Sequence, residues 1–554
     1  MAGRPDPAGG SRRLVLPAAA VLLVAGCLLQ ILAGYSHPDL SGHAWGSDDA
    51  YISYRYARNL AAGEGLVFNP GERVEGYSNL LYVLLLAPAA ALVAPERLYA
   101  VSTGLNTLFA LAALVLLHRF TRRRLGSFEA AIVAGLFALC PSVWAAVASG
   151  LETPMVLLLQ IGTWILAEQA VEEGGARERR TAAGLCIVAA VSVLARADGF
   201  ITPLLAAVFL GLRGRWRPAF AVAASTLATF GALALFRLSY YGWPLPNTYY
   251  AKVDGPLLLR LDNGWQQLLT AVIGTGLLVY LVAFLMAGVR GLRSFAPRRP
   301  DPLPALPFPA VFAAGWLAYY LYIGGDVFYD RFLLFLFPMG TWLLLALLAQ
   351  LARTMEAGRS RRRTAVLAVL LAVLQLVALS KDPRFQFRVP KYDRWVLLGR
   401  HLRQEPAGTL IAVDAAGKVP FFSGLPALDM LGLTDPHIGH GRAEDRAYFH
   451  VGHDKSDLPY ILSRKPALIA IWLRGGWTQH TRGQDPLEQA GYSLDFVLNT
   501  TQDSKGRDLV DVRHAAPAEV RRLVAAGYQY GLFGRAPAQP GRATVSPRNL
   551  SNGL

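Results

Sequence analysis

The sequence predicts an α-helical polytopic membrane bundle of about eleven transmembrane helices, followed by an extracytoplasmic α/β domain toward the C-terminus. Four observations carry this reading. Of the 554 residues, 53% are hydrophobic and 17% charged, where a soluble chain carries roughly a quarter charged. Many apolar runs reach the ~17–25 residues that cross a bilayer. Arginines cluster at Arg12-Arg13, Arg122–Arg124, Arg177–Arg180, Arg213–Arg217, Arg290–Arg299 and Arg359–Arg363, each beside or between apolar runs. Basic residues in short loops mark the cytoplasmic side, so the net charge of +16 reports topology and not a nucleic-acid partner. Finally, the composition changes from Lys381 onward to a mixture of polar and apolar residues.

Taken in order, the basic N-terminus is cytoplasmic and the first span covers roughly 14–34. Residues 22–27, LLVAGC, have the form of a bacterial lipobox. Small apolar residues before a cysteine are ordinary in membrane helices, and cleavage would remove most of this span, so the segment reads as an uncleaved helix. The three cysteines, Cys27, Cys140 and Cys186, all fall in apolar runs, which gives no disulfide framework.

The loop that follows lies outside. Two apolar segments, about 79–94 and 98–118, lead from it to the basic cluster at 118–124. Only an odd number of crossings connects an outside loop to an inside one. The shorter segment, with Pro88 and Pro95, therefore lies in the interface or dips in and out. Residues 50–62 read as a second interfacial helix, with Tyr51, Tyr54 and Leu60 close to one face.

The remaining spans fall near 128–147, 153–170, 182–196, 199–213, 217–238, 267–289, 306–324, 332–352 and 364–380. Beyond them, 409–414, 467–472 and 492–498 read as strands, while 391–404 and 517–526 read as amphipathic helices. The chain thus divides into a membrane domain over 1–381 with a long first extracytoplasmic loop over 35–97, an α/β domain over 382–535, and a Pro-, Gly- and Ser-rich disordered tail over 536–554.

The polar residues of the outside loops form an unusual collection. Asp48 and Asp49 stand just after the first span, with Arg55, Arg58, Asn69, Glu72, Arg73, Glu75, Tyr77 and Asn79 behind them. Later loops add Glu152, Arg196, Asp198, Asn247, Tyr249, Lys252, Asp326, Asp330 and Arg331. Charges at the bilayer ends of a bundle usually line a cavity and mark function.

Sugar transfer from a lipid phosphate needs these residue types. A carboxylate takes the proton of an acceptor hydroxyl, cations hold the donor phosphate and its developing charge, and aromatics suit the flat faces of sugar rings. Lys252, Arg331, Arg58 and Arg196 are the candidate phosphate ligands. Adjacent carboxylates diverge on a helix, so one could be the base while the other holds a divalent cation. Oxygen-only ligation would suit magnesium or manganese.

Plainer readings stand beside these. The acidic pair could cap a helix beginning near Ala50, Arg196 and Asp198 could pair in a turn, Lys252 and Arg331 could snorkel, and Asp326 could be a turn residue. Tyr249, Tyr250, Tyr319, Tyr320 and Tyr322 fit an aromatic belt. His437, His440, His450 and His453 are spaced as metal ligands could be, but in a loop-like region without cysteine.

Residues 48–79, DDAYISYRYARNLAAGEGLVFNPGERVEGYSN, resemble the first-loop signature of bacterial GT-C glycosyltransferases, and most nearly the actinobacterial terminal arabinofuranosyltransferase (AftB-like) group. An acidic pair, Arg58-Asn59 and the run Gly63–Glu75 carry the resemblance. PLPNTYYAK at 244–252, GGDVFYDRF at 324–332 and SGLPALDMLGLTDPH at 423–437 look like further motifs of that group.

The resemblance implies a GT-C-like bundle in a bacterial cell membrane and a polyprenyl-phosphate-linked sugar donor, with arabinofuranose among the candidate sugars. It also implies an envelope glycan or glycoconjugate acceptor, and Asp48 or Asp49 as general base. Two rival classes are a transporter or flippase of lipid-linked sugars and a non-catalytic envelope assembly protein. The first predicts charges at mid-span depth, where few occur. The second leaves the acidic pair without a role.

Overall fold

The computed structural model describes residues 8–34, 46–294, 307–326, 331–351, 357–381, 393–442, 451–473, 485–500 and 509–535. The tail beyond 535, Asp330 and His450 lie outside them. The bundle opens with α1 (Ala8–Gly34). Helix α2 (Asp48–Ala61) and the 13-residue α3 (Leu80–Leu92) follow. At ~1.5 Å per residue, α3 rises about 20 Å, short of the ~30 Å hydrocarbon layer. Helix α4 (Leu98–Arg124) is a turn and a half longer than its apolar core and ends in three arginines, which suit the negative end of the helix dipole.

The span expected at 128–147 is broken into α5 (Ser127–Ala138) and α6 (Pro141–Ala148), bent by 48°. Pro141 starts the second piece, and a proline excludes the α conformation from the residue before it. Cys140 accordingly has φ −75° and ψ 111°. Helices α7 (Thr153–Glu172), α8 (Gly175–Ala195), α9 (Ile201–Leu212) and α10 (Trp216–Tyr241) follow as expected within a few residues, save that α8 starts seven residues earlier. After the short α11 (Asn247–Lys252), the span expected at 267–289 is not one rod. It is α12 (Leu257–Thr275) and α13 (Leu278–Ser294), turned by 112° at Gly276, whose φ of +71° is left-handed and ends the first helix. Helices α14 (Phe308–Ile323), α15 (Leu336–Leu351) and α16 (Ala357–Lys381) complete the bundle.

Among the described residues, five helices are long and apolar enough to cross a membrane alone, or up to seven if each bent pair is one span; α3, α9 and α14 are shorter apolar helices. The outward side chains of the bundle are apolar, as at Leu235, Ile273 and Leu285. The protein is a multi-pass helical membrane protein.

The C-terminal domain starts with α17 (Arg394–Leu402), capped by the Asp393 carboxylate. Strand β1 (Ile411–Val413), α18 (Lys418–Ser423), β2 (Ala427–Asp429), α19 (Pro436–His440), α20 (Leu458–Ser463) and β3 (Leu468–Trp472) make a parallel half-sheet. Then α21 (Pro486–Gln489), β4 (Tyr492–Leu498), β5 (Leu509–Asp511), α22 (Pro517–Ala525) and β6 (Tyr530–Arg535) add an antiparallel half. The strand order is β2-β1-β3-β6-β4-β5, with β6 antiparallel to both β3 and β4.

Side chains alternate across this sheet. Ile411, Val413, Leu468 and Ala470 face a core shared with α2, α3 and the first loop, while Ala412, Ile469, Val497 and Phe533 face a separate core of the domain's own. The domain therefore packs onto the outer loops of the bundle through its sheet and α18. That packing corrects the reading of α2 as an interfacial helix. Nine of its fourteen residues are buried, because the domain covers the face that would otherwise meet lipid or water.

Candidate active site

Between bundle and domain lies a cavity of about 1100 Å³. Its lower wall comes from the first loop and the ends of the bundle helices, its upper wall from the ends of the domain's parallel strands.

The acidic pair is divided between two environments, because successive residues on a helix diverge by about 100°. The Asp48 carboxylate turns into the domain. Its Oδ2 accepts from Gly417 N–H at 2.9 Å and its Oδ1 from Lys418 N–H at 2.8 Å. Burial pushes its pKa up to about 6, against the lowering effect of the Lys418 backbone bond and charge. Gly417 has no alternative here, since a Cβ would lie 1.8 Å from the Asp48 carbonyl oxygen.

Two turns along the same helix, Arg55 holds the other end of α18. It donates to Leu425 O at 2.8 Å and to Pro420 O. The carboxylate thus meets the N–H end of α18 and the guanidinium meets carbonyls at its far end, each matching the partial charge there. Asp49 instead faces the cavity. Its nearest ion partner is Lys252 Nζ at 3.9 Å, and both side chains are 29% exposed.

Deeper on the bundle side, the charges are paired. Arg196 Nε lies 3.2 Å from Asp198 and 3.7 Å from Glu152, with its guanidinium 3.9 Å from the centre of the Phe332 ring. Asn79 donates to Glu152 at 2.7 Å. Arg331 grips Asp326 with two bonds of 2.8 and 2.9 Å. Tyr77 and Tyr249 also line the cavity.

The other expected substrate contacts, Arg55, Arg58, Asn69, Glu72, Arg73, Glu75 and Asn247, are not among the cavity's lining residues. They hold the architecture together. Arg58 donates to Phe421 O at 3.1 Å and lies over that ring. Asn69 bonds both ways to the Ala427 backbone, at 2.9 and 3.0 Å. Glu72 reaches Arg464 at the surface, and Arg73 covers Tyr240. Glu75 pairs with Arg237 at 2.8 Å, both 2% exposed. Asn247 donates to Gly432 O at 2.7 Å. Five of the seven, Arg55, Arg58, Asn69, Glu75 and Asn247, lie where loop or bundle meets another segment and satisfy backbone or ionic partners there, while Glu72 and Arg73 make their contacts at the exposed surface.

Among the described residues no three His, Cys, Asp or Glu side chains converge as a metal set. Both Asp48 oxygens already accept N–H groups. This donor set does not fit a protein-held divalent ion at the acidic pair, and no step is assigned to one. His437 pairs with Asp457 and stacks on Tyr460, and His440 stacks on Tyr250. His453 alone of the described members of that cluster lines the cavity.

The upper wall contains residues that sequence reasoning did not single out: Trp395, Asp414 and Trp472. One signal was present. In parallel α/β sheets, ligands bind beyond the carboxyl ends of strands, and Asp414 closes the run 409–414.

Membrane bundle, outer loops and capping domain together define the GT-C fold class. Among solved structures, the chain resembles ArnT from Cupriavidus metallidurans bound to undecaprenyl phosphate, with a TM-score of 0.52 at 13% identity over 94% of this chain and 99% of that one. It also resembles the Archaeoglobus fulgidus oligosaccharyltransferase AglB in complex with an inhibitory peptide and a dolichol-phosphate, with a TM-score of 0.50 at 13% identity, covering 90% of this chain and 75% of that one.

More particularly, the sequence is similar to two terminal β-(1→2)-arabinofuranosyltransferases. That of Corynebacterium glutamicum is 30% identical over 246 residues, and that of Mycobacterium tuberculosis 31% over 218 residues. These matches cover 40% and 38% of this chain and 35% of each relative's length, so the chain spans about a third of the curated relatives it matches. A family model described as a domain of unknown function, DUF8728, matches residues 383–515.

Proposed function

We propose that this protein is a membrane glycosyltransferase that moves a sugar, arabinofuranose in the first instance, from a polyprenyl phosphate to a hydroxyl of an envelope glycan or glycoconjugate. The reaction takes place in the cavity on the extracytoplasmic side of a bacterial cell membrane, with the N-terminus cytoplasmic. The observation that carries this reading is the division of the acidic pair. Both carboxylates line the cavity, but Asp48 has its two oxygens engaged by domain N–H groups, while Asp49 has only the looser Lys252 partner at 3.9 Å.

Asp49 is the general base. As it removes the acceptor hydroxyl proton, the acceptor oxygen forms a bond to the anomeric carbon. The bond from that carbon to the phosphate oxygen breaks, and the polyprenyl phosphate leaves with the electron pair. A single displacement inverts the anomeric centre. Lys252 is the loosest-paired cation of the lower wall and offsets charge on the leaving phosphate. Arg331 and Arg196, held by Asp326, Asp198 and Glu152, shape the field around it. Asp48 is a positioning residue that fixes the domain over the site, and residues 382–535 present the acceptor.

The test is transfer by the purified protein, in proteoliposomes, from synthetic polyprenyl-phosphate sugars to an oligosaccharide acceptor, comparing wild type, Asp49→Asn and Asp48→Asn. Transfer is expected from wild type, and its loss in Asp49→Asn. Full transfer by Asp49→Asn sinks the assignment of the base, and no transfer by wild type with any donor sinks the enzyme reading.

A further inference from the structure

Every other large apolar side chain that stands exposed among the described residues belongs to positions 14–377, the bundle side of the molecule. Trp472 is the exception, 39% exposed in the C-terminal domain. It ends β3, and its neighbours Leu468, Ile469 and Ala470 on the same strand are buried. An indole left uncovered at the mouth of a cavity calls for an explanation that core packing does not provide.

Its surroundings are ordered. Trp395 lies 6.1 Å from it, centre to centre and nearly perpendicular, and Tyr530 lies 5.5 Å from it edge-on. The Arg394 guanidinium sits 4.9 Å from the Trp395 ring and 5.3 Å from the Trp472 ring, and is itself tied to Thr500 O at 3.0 Å. The two indoles are thus fixed before any ligand arrives, which lowers the entropic cost of binding.

Asp414 stands beside them. It follows β1 as Trp472 ends β3, and these strands are adjacent and parallel, with Val413 opposite Ala470. Both residues therefore sit at the carboxyl ends of neighbouring parallel strands, where such sheets bind ligands. The Tyr530 hydroxyl lies within hydrogen-bond reach of both Asp414 and Ala470 O, which holds the carboxyl in register with the indoles. Trp395, Trp472 and Asp414 all line the same cavity as Asp49.

An apolar ring face next to a carboxylate matches a sugar, which offers a C–H face for stacking and a rim of hydroxyl donors. It does not match a polyprenyl chain, which has no donors, or a phosphate, which a carboxylate repels.

We infer that Trp472, backed by Trp395, together with Asp414 forms the acceptor saccharide subsite, with a ring of the acceptor stacked on Trp472 and its hydroxyls donating to Asp414. This rests on the transferase reading above and names the part of the site that takes the acceptor.

The test separates the two. Binding is measured on the full-length protein in detergent by quenching of tryptophan fluorescence and by titration calorimetry, with a synthetic oligoarabinofuranoside as the probe. Transfer kinetics are measured in parallel with donor and acceptor varied separately. Wild type is expected to bind the oligosaccharide, and Trp472→Ala and Asp414→Asn each to weaken it by about tenfold or more. Trp472→Phe should restore part of the loss, and the acceptor KM should rise while the donor KM holds. Saccharide binding that wild type lacks, or that both variants retain at wild-type strength, overturns the subsite. Binding with the expected variant pattern but without transfer leaves the subsite standing and overturns the transferase reading.

Discussion

On the bundle side of the cavity the polar groups are charged and mutually paired, from Arg196 with Asp198 and Glu152 to Arg331 with Asp326. On the domain side the wall is aromatic, with Trp395 and Trp472 beside the carboxylate of Asp414. The difference fits the division of donor and acceptor proposed above. A phosphate at the membrane surface needs positive charge that is already oriented and shielded from lipid by its own counter-ions. A neutral saccharide needs surface area and a few hydroxyl partners. Asp49 lies between the two walls, on a helix whose position the domain sets through Asp48 and Arg55.

The comparison breaks most readily at Asp49. Asp49→Asn should lower transfer by about 10²–10⁴-fold, the usual weight of a general base. Asp48→Asn should lose less turnover but unfold at a lower temperature in a thermal-shift measurement. If the two variants fall equally in turnover with equal stability, the division between base and positioning residue is lost. Next in size is the buried ion pair beneath the first loop. Glu75→Gln leaves Arg237 without its charge partner and should destabilise the protein by roughly 3–5 kcal/mol, read from unfolding in detergent.

Much of the fold was legible because its signals are local. Apolar length and arginine position outlined most of the spans, and β-rich runs marked β1, β3 and β4 to within two residues. Strands β2 and β5 have three residues each and, unlike the equally short β1, end on an aspartate inside a mixed polar stretch, and β6 carries two glycines that blur its pattern. The bend at Gly276 was hidden because a continuous apolar run reads the same whether straight or folded.

The candidate site was less legible, since charge composition identifies a polar region without saying which atoms face which way. Arg58 looked like a phosphate ligand and Arg55 like a substrate contact, yet they hold backbone carbonyls 363–370 positions away. Trp472 looked like one more apolar residue of a strand until its exposure was seen.

Smaller effects sharpen the comparison. Lys252→Ala should raise the donor KM by about tenfold while leaving the acceptor KM in place, and added salt should narrow the gap between variant and wild type. The smallest effect is a pH dependence from the upper wall. Burial raises the Asp414 pKa from 3.8 to about 7, against the hydrogen bond from Tyr530. A carboxyl held above its unfolded value favours the folded state fully below pH 3.8, and that contribution is lost as the pH rises through about 7. Asp414→Asn should therefore flatten the fall in melting temperature across that window. Asp48 and Asp429, both raised to about 6 by burial, and Glu75, raised to about 7, add to the slope.

The bond from Gly417 to Asp48 joins positions 369 apart in sequence. The ribosome therefore delivers the acidic pair long before the peptide that holds it. Throughout synthesis of the bundle the Asp48 carboxylate waits for its donors, and the helix carrying Asp49 is seated only once Gly417 and Lys418 have been made and the C-terminal domain has packed against it. The C-terminal domain is also not an exchangeable module: a graft from another protein must supply a glycine and two N–H groups at this point, or the helix that carries Asp49 has no fixed address.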